Sequence, residues 1–171
     1  IDNLVSDLEG KFARVSSTRG ATHSYLGMRI IVKETHIEVD MSGYLEKILG
    51  DSEYWKRKPT PATVNLLSDD PDSPLLEESG QKLFHSEVAK ILFVAKRCRM
   101  MCLPAVSVLA SKVKKATKQD RDRLDRVFYY LFATKDMVMK YKCGGSISFE
   151  AFVDASWAVH DDCHGRTGLV L

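Results

Sequence analysis

Hydrophobic residues recur at helical spacing in three consecutive stretches between residues 81 and 136. Within each stretch they lie three or four residues apart, as one buried face of an α-helix requires. Pro104 suits a first helical turn, and Thr117 with Asp120 has the form of a capping box. The pattern therefore predicts three packed helices. Their apolar stripes are Phe84, Val88, Ile91, Ala95 and Cys98, then Val106, Leu109, Ala110 and Val113, then Leu124, Val127, Phe128, Leu131 and Phe132.

The chain before this block predicts a helix, a hairpin and a second, short helix. Apolar spacing favours a helix over residues 2–15. Aromatic and β-branched residues favour one strand over residues 25–32, and a polar turn separates it from a second strand at residues 37–40. Ser42 then precedes a short amphipathic helix that Gly50 ends.

Prolines and small polar residues interrupt the hydrophobic pattern at residues 51–79, which predicts a long surface connection and a hinge or subdomain boundary. After the helical block, strands are expected at residues 137–141 and 146–153, around a pair of glycines. The apolar run at residues 168–171 is typical of a third, unfinished strand. The predicted fold class is α/β (α+β), with a β-hairpin, a helical bundle and a second group of strands.

Composition is that of an ordinary globular protein, with 44% hydrophobic and 28% charged residues. A formal charge of +2 is too small to indicate nucleic-acid binding by itself. No apolar run reaches the roughly 20 residues of a membrane span, and no signal peptide opens the chain, which favours a cytoplasmic or nuclear setting. The four cysteines lack zinc-site spacing and disulfide density, so free buried thiols are expected. His160, Cys163 and His164 lack a fourth zinc ligand.

Basic residues cluster opposite the apolar stripes of the helical block. A cationic surface on packed helices suits a polyanion such as nucleic acid. The alternative is a solvated face that binds nothing, because charges opposite an apolar stripe are common on any surface helix. The residues concerned are Lys82, Lys90, Arg97, Lys112, Lys114, Lys115, Arg123 and Arg126.

A carboxylate follows the apolar residues 149–153, where Asp154 is expected at the end of a strand. A site that cleaves phosphodiesters with two metal ions could take its first ligand there. Aspartate at a strand end is also common in ordinary turns, so the local pattern leaves both interpretations open.

Several segments, in order along the chain, resemble the copia-type class of long-terminal-repeat retrotransposon polyprotein. They are His23-Ser24-Tyr25-Leu26-Gly27-Met28, Tyr44-Leu45-Glu46-Lys47-Ile48-Leu49, Thr60-Pro61, Tyr130-Leu131-Phe132-Ala133-Thr134, Val153-Asp154-Ala155-Ser156-Trp157-Ala158 and Arg166-Thr167-Gly168. The resemblance implies a reverse transcriptase fragment. Its expected parts are the end of the palm with a primer-grip-like hairpin (1–50), a linker (51–79), a helical thumb and connection (80–136) and a partial ribonuclease H-like domain (137–171).

The same resemblance implies an RNA-directed DNA polymerase with ribonuclease H activity in the intact parent, assisted by Mg²⁺. Tyr25, Leu26 and Gly27 would hold the primer end, and the basic helices would contact the phosphates of an RNA/DNA hybrid or primer-template. The phosphate contacts that the resemblance implies are Lys90, Arg97, Lys112, Lys114, Lys115, Arg123 and Arg126. Asp154 would be the first ribonuclease H carboxylate, and hence one ligand of an incomplete magnesium site.

This sequence also departs from the family pattern. The polymerase Tyr-x-Asp-Asp is missing, since the adjacent aspartates at 69–70 and 161–162 lie in polar sequence. Arg99-Met100-Met101 stands where the family usually has Arg-Pro-Asp, and Ser156 replaces the second Asp of Asp-Ala-Asp-Trp. The chain alone is therefore expected to be inactive, with the rest of the polyprotein as partner, no membrane, and a virus-like particle or the nucleus as its setting. A non-enzymatic nucleic-acid-binding module or an inactive retroelement remnant are the alternatives.

Overall fold

A computed structural model describes residues 2–12, 15–50, 56–142, 144, 151–156 and 165–170. The mixture of helices and antiparallel strands confirms the predicted α/β class. The elements are α1 (Asp2–Lys11), β1 (Thr22–Tyr25), β2 (Met28–Val32), β3 (His36–Asp40), α2 (Ser42–Leu49), α3 (Glu78–Cys98), a 3-10 turn (Met100–Cys102), α4 (Leu103–Ser111), α5 (Lys118–Ala133), β4 (Met139–Lys142), β5 (Phe152–Ser156) and β6 (Arg166–Val170).

The N-terminal strands form two hairpins rather than one. β1 pairs with β2 across the two-residue turn Leu26-Gly27, and β2 pairs with β3. The prediction of one unbroken strand over residues 25–32 is therefore wrong, because Leu26 and Gly27 both have positive φ and reverse the chain. Such turns are usually marked by Asn-Gly or Asp-Gly, and a Leu-Gly pair does not give that signal.

β4 completes this first sheet, whose strand order is β1-β2-β3-β4. It pairs with β3, so Ile37 lies opposite Tyr141, although the sequence analysis grouped β4 with the later strands. Among the described residues, β5 pairs with β6 in a separate two-stranded sheet. Gly145 of the expected turn and much of the strand expected at 146–153 lie outside the described residues.

The core lies where α3, α4 and α5 meet α2 and β3. The apolar stripe of α3 is buried over its whole length, and the α5 stripe is buried except for Phe132, which is partly exposed. Full burial of one such side chain stabilises the fold by about 1.5–3 kcal/mol. The capping box of α5 is also confirmed: the Thr117 hydroxyl accepts the Asp120 backbone N–H, and the Asp120 carboxylate accepts the Thr117 N–H at 3.0 Å. The three predicted helices are thus confirmed.

Residues 56–77, here called the strap, contain neither helix nor regular strand, yet they run antiparallel along α5. The role of residues 51–79 as a linker, with a hinge or a subdomain boundary, stays a prediction; α3 begins at Glu78. In order along the strap, the contacts join Arg57 to Phe132, Thr60 to Arg126, Asn65 and Ser68 to Arg123, Asp70 to Gln119, Pro74 to Lys118 and Leu75 to Thr117.

The remaining expectations on helices and cysteines are met where the structure describes them. α1 and α2 form as predicted, with α1 ending at Lys11, and no described helix is both long and apolar enough to cross a membrane. Cys98 and Cys102 are free and buried, as predicted. The other two cysteines and the zinc ligands that were considered lie outside the described ranges.

Candidate nucleic-acid interface

The turn between β1 and β2 presents apolar side chains to solvent. Tyr25 is 61% exposed and Leu26 is 52% exposed. Leu26 has φ +47°, a left-handed conformation that is costly for a bulky side chain, whereas Gly27 at φ +76° adopts it freely. An exposed apolar residue in a strained conformation contributes little to packing, and such strain clusters at binding sites. This turn is therefore a candidate contact surface.

An aromatic and cationic stack from α2 and α3 supports the turn. The ring centroids of Tyr44 and Phe93 are 5.1 Å apart, and Cζ of Arg97 lies 3.7 Å from the Phe93 centroid. Arg97 Nη1 also donates to the Phe93 carbonyl at 2.9 Å. A methyl group placed on Gly27 would lie 4.0 Å from both rings, so the turn rests on this stack. The structure thus brings the predicted turn residues next to the predicted cation Arg97.

Lys90 lies beside the same stack. The Tyr44 hydroxyl donates to the Lys90 carbonyl at 3.4 Å, while the Lys90 side chain is exposed. Burial raises the pKa of Tyr44, although the Arg97 charge opposes that rise. The phenol therefore stays protonated near neutral pH and keeps its donor role.

An open groove of about 460 Å³ lies next to the turn, and an ion pair forms part of its wall. Arg29 Nη2 donates to Asp40 at 2.6 Å, and the Ser42 backbone N–H donates to the same carboxylate at 2.8 Å. Burial alone would raise the pKa of Asp40, but the bonds from Ser42 and Arg29 outweigh it and lower the pKa. These bonds tie β2 and β3 to the start of α2, which makes this wall rigid.

Two of the predicted phosphate-binding cations are occupied by the protein itself. Lys112 and Arg123 both contact Asp69 of the strap, and both contact the buried Asp120, at 3.7 Å and 3.2 Å respectively. The Arg123 side chain is only 13% exposed. Partial burial would raise the pKa of Asp69, but hydrogen bonds from the two cations lower it instead. The observed role of Lys112 and Arg123 is to fasten the strap to α4 and α5.

The other cations of the basic face differ in what they contact: Lys82 pairs with Glu78, and Arg97 stacks on Phe93. Lys90, Lys114 and Lys115 are exposed, and none of them pairs with a carboxylate in the described part of the chain. Arg126 donates to the Thr60 hydroxyl at 2.8 Å, while its Nε is buried without a hydrogen-bond partner among the described residues. The predicted basic surface therefore divides into cations paired within the fold and cations that are free of carboxylates.

Asp154 lies in the middle of β5, not at its end. The strand continues to Ser156, and Asp154 pairs with Gly168 of β6. Its exposed carboxylate accepts the Ala155 N–H at 2.9 Å. It also lines a cavity of about 430 Å³ together with Pro104 of α4. No cluster of three or more potential metal ligands is found among the described residues, and the role of Asp154 as a magnesium ligand stays a prediction.

Comparisons with known proteins give one relationship. No family model matches the chain, and no solved structure matches it. A Saccharomyces cerevisiae protein described as "Putative transposon Ty5-1 protein YCL074W" is 27% identical over 155 residues, which covers 88% of this chain and 50% of that protein. This chain is therefore similar to a transposon protein. It spans about half the length of the curated relative that it matches.

Sequence reasoning missed the stack of Tyr44, Phe93 and Arg97. Phe93 lies off the apolar stripe of α3, so the helical period gave it no role in the core. The signal that could have found it is the spacing of Phe93 and Arg97, which are four residues apart and therefore adjacent on one helix face. The packing of Tyr44 against Phe93 joins two helices and has no local signal.

Proposed function

We propose that this chain is a segment of a copia-type reverse transcriptase and that it grips the primer-template. Its relationship to a transposon protein supports a retroelement origin, and the ordered family motifs support the narrower assignment. Its proposed partners are an RNA/DNA hybrid or primer-template and the rest of the polyprotein, in a virus-like particle or in the nucleus.

The observation that carries the proposal is the exposed Leu26-Gly27 turn resting on the stack of Tyr44, Phe93 and Arg97. A nucleic-acid end presents a flat apolar base and a charged backbone. Aromatic and aliphatic side chains pack against bases, and unpaired cations bind phosphates without reading sequence. Tyr25 and Leu26 provide the apolar surface, and Lys90 provides a free cation beside it.

The chemistry of the proposed parent is nucleotidyl transfer and hydrolysis of RNA, both assisted by Mg²⁺. A two-metal clamp needs several carboxylates close together. Asp154 is exposed, and no group of three or more potential metal ligands is found among the described residues, so Asp154 alone does not fit such a clamp. We therefore propose binding as the role of this chain, and Asp154 as the first ribonuclease H carboxylate of an intact parent only.

Fluorescence anisotropy of the chain with a labelled RNA/DNA hybrid, between 50 and 200 mM salt, tests the grip. Each neutralised phosphate contributes roughly 0.9 to the slope of log affinity against log salt on duplex DNA. Replacing Lys90, Lys114 and Lys115 together by Ala should weaken binding and reduce that slope by up to about 2.7. The matched control replaces Lys33, Lys82 and Lys140 by Ala. It removes the same three positive charges, but Lys82 pairs with Glu78 and Lys140 pairs with Glu38.

Hybrids with different ends distinguish primer gripping from general phosphate binding. If the turn contacts a primer terminus, a hybrid with a recessed 3′ end should bind more tightly than a blunt hybrid. Equal affinity for both would favour a non-enzymatic phosphate-binding module instead. Failure of the wild-type chain to bind either hybrid, or equal losses in the two triple variants, would overturn the proposed grip.

A further inference from the structure

The acidic and the basic residues of the strap lie at opposite ends of α5. Its acidic part, with Asp69 and Asp70, lies at the start of this helix, where Asp69 contacts Arg123 and the Asp70 N–H bonds Gln119. Its basic part, Lys56, Arg57 and Lys58, lies at the other end. The guanidinium of Arg57 stands over the Phe132 ring at 5.4 Å from the centroid, one residue before α5 ends. We call these three residues the basic end of the strap.

The basic end is held in place by two contacts. Arg57 is anchored by its contact with Phe132, and Thr60, two residues after Lys58, is anchored by the bond from Arg126. No carboxylate in the described ranges pairs with any residue of the basic end. This contrasts with three other cations that join the helices or the strap, each of which contacts a carboxylate. They are Lys112, Arg121 and Arg123.

The end of α5 does not account for this concentration of charge. A helix C-terminus carries the equivalent of roughly half a negative charge. The last turn of α5 contains no basic residue, so one nearby cation would suffice to complement it. Three adjacent positive charges exceed that need and repel one another, and a bound anion would relieve the repulsion.

We propose that the basic end of the strap, together with Arg126, is a second phosphate-contact site that binds the backbone of a nucleic-acid duplex. It acts in addition to the β1–β2 turn, and it rests on the proposed function. Arg126 contributes by holding this end of the strap against α5 through its bond to the Thr60 hydroxyl. A phosphate backbone fits better than a lipid surface, because Pro59 and Thr60 follow the basic end and provide no large apolar side chain for insertion.

The test is the double replacement of Lys56 and Lys58 by Ala, which keeps the contact of Arg57 with Phe132. We expect an affinity about tenfold lower for the RNA/DNA hybrid at 200 mM salt and a salt slope lower by up to about 1.8. The matched control is the double replacement of Lys82 and Lys140 by Ala. These lysines are paired with carboxylates, so their loss should leave the affinity and slope unchanged. Equal thermal midpoints for all three proteins would establish that the fold is intact.

The outcomes separate this site from the proposed function. If the wild-type chain binds the hybrid and the double variant binds it equally well, the second site is overturned while the grip stands. If the wild-type chain does not bind, the grip is overturned and this site with it. Tighter binding of the wild-type chain to vesicles containing phosphatidylserine than to the hybrid, lost in the double variant, would show a membrane surface and overturn the proposal.

Discussion

Leu26 adopts a backbone conformation that its residue type disfavours. The turn requires positive φ at both central positions, and Gly27 meets this requirement at no steric cost. Leu26 does so against the preference of a branched side chain, at a cost of roughly 1–2 kcal/mol. Its side chain regains little of that energy, since half of its surface is exposed. The binding role proposed above for this side chain would account for a costly residue at this position.

Replacing Leu26 by Asn should stabilise the isolated chain, because Asn tolerates the left-handed conformation better. We expect the free energy of unfolding in urea to rise by about 0.5–1 kcal/mol, while affinity for a recessed 3′ end falls. Leu26→Ala is the control, because it removes the same apolar surface but keeps the strain. Equal stability of the Asn and Ala variants would show that φ at this position is not strained in solution.

At the level of elements, the strap and α5 depend on each other. Arg123 joins the buried Asp120 of the α5 capping box to Asp69, and it also donates to strap carbonyls. Gln81 of α3 bonds both the N–H and the carbonyl of Ala116, whose carbonyl also accepts the Leu76 N–H of the strap. These bonds tie a segment without regular structure to two helices, so that it unfolds with them.

Arg123→Met should therefore reduce stability by about 2–3 kcal/mol, since it leaves a buried carboxylate and several carbonyls with fewer partners. Lys90→Met is the control and should change stability by no more than about 0.5 kcal/mol, because Lys90 is an exposed residue. Urea unfolding of both variants measures the difference. Similar small losses in both would mean that the strap is held by its apolar contacts alone.

At the scale of the whole molecule, one core joins the helices to the first sheet. Arg99 is only 1% exposed and links the end of α3 to the end of α5, where it donates to the carbonyls of Thr134 and Lys135 at 3.2 Å. Cys98 and Cys102 lie beside it within the core. Burial raises the pKa of the Cys102 thiol to about 12, although the Arg99 charge opposes this. The thiol therefore remains protonated in the folded protein.

The raised pKa of Cys102 has a defined effect on stability. Since the folded pKa lies above the ordinary value of 9.0, the contribution of this thiol to the free energy of unfolding is fully present below pH 9 and is lost as the pH rises towards 12.

We also expect alkylation of Cys98 and Cys102 at pH 8.5 to be at least about 100-fold slower in the native protein than in concentrated urea, because it needs an opening of the core. Iodoacetamide labelling read by mass spectrometry measures this. Comparable rates in both conditions would contradict the buried core.

The sequence by itself determined the helices and the capping box, because helical period and capping are local properties of residues three or four positions apart. It also indicated the retrotransposon relationship through short ordered motifs. The roles in the parent enzyme of Asp154, Mg²⁺ and the primer-template stay predictions. Only the tertiary structure decided that β4 joins the first sheet, that Lys112 and Arg123 fasten the strap, and that Tyr44 meets Phe93 beneath the turn. These contacts join residues more than 40 positions apart, and no local pattern encodes which distant partner a charge or ring will find.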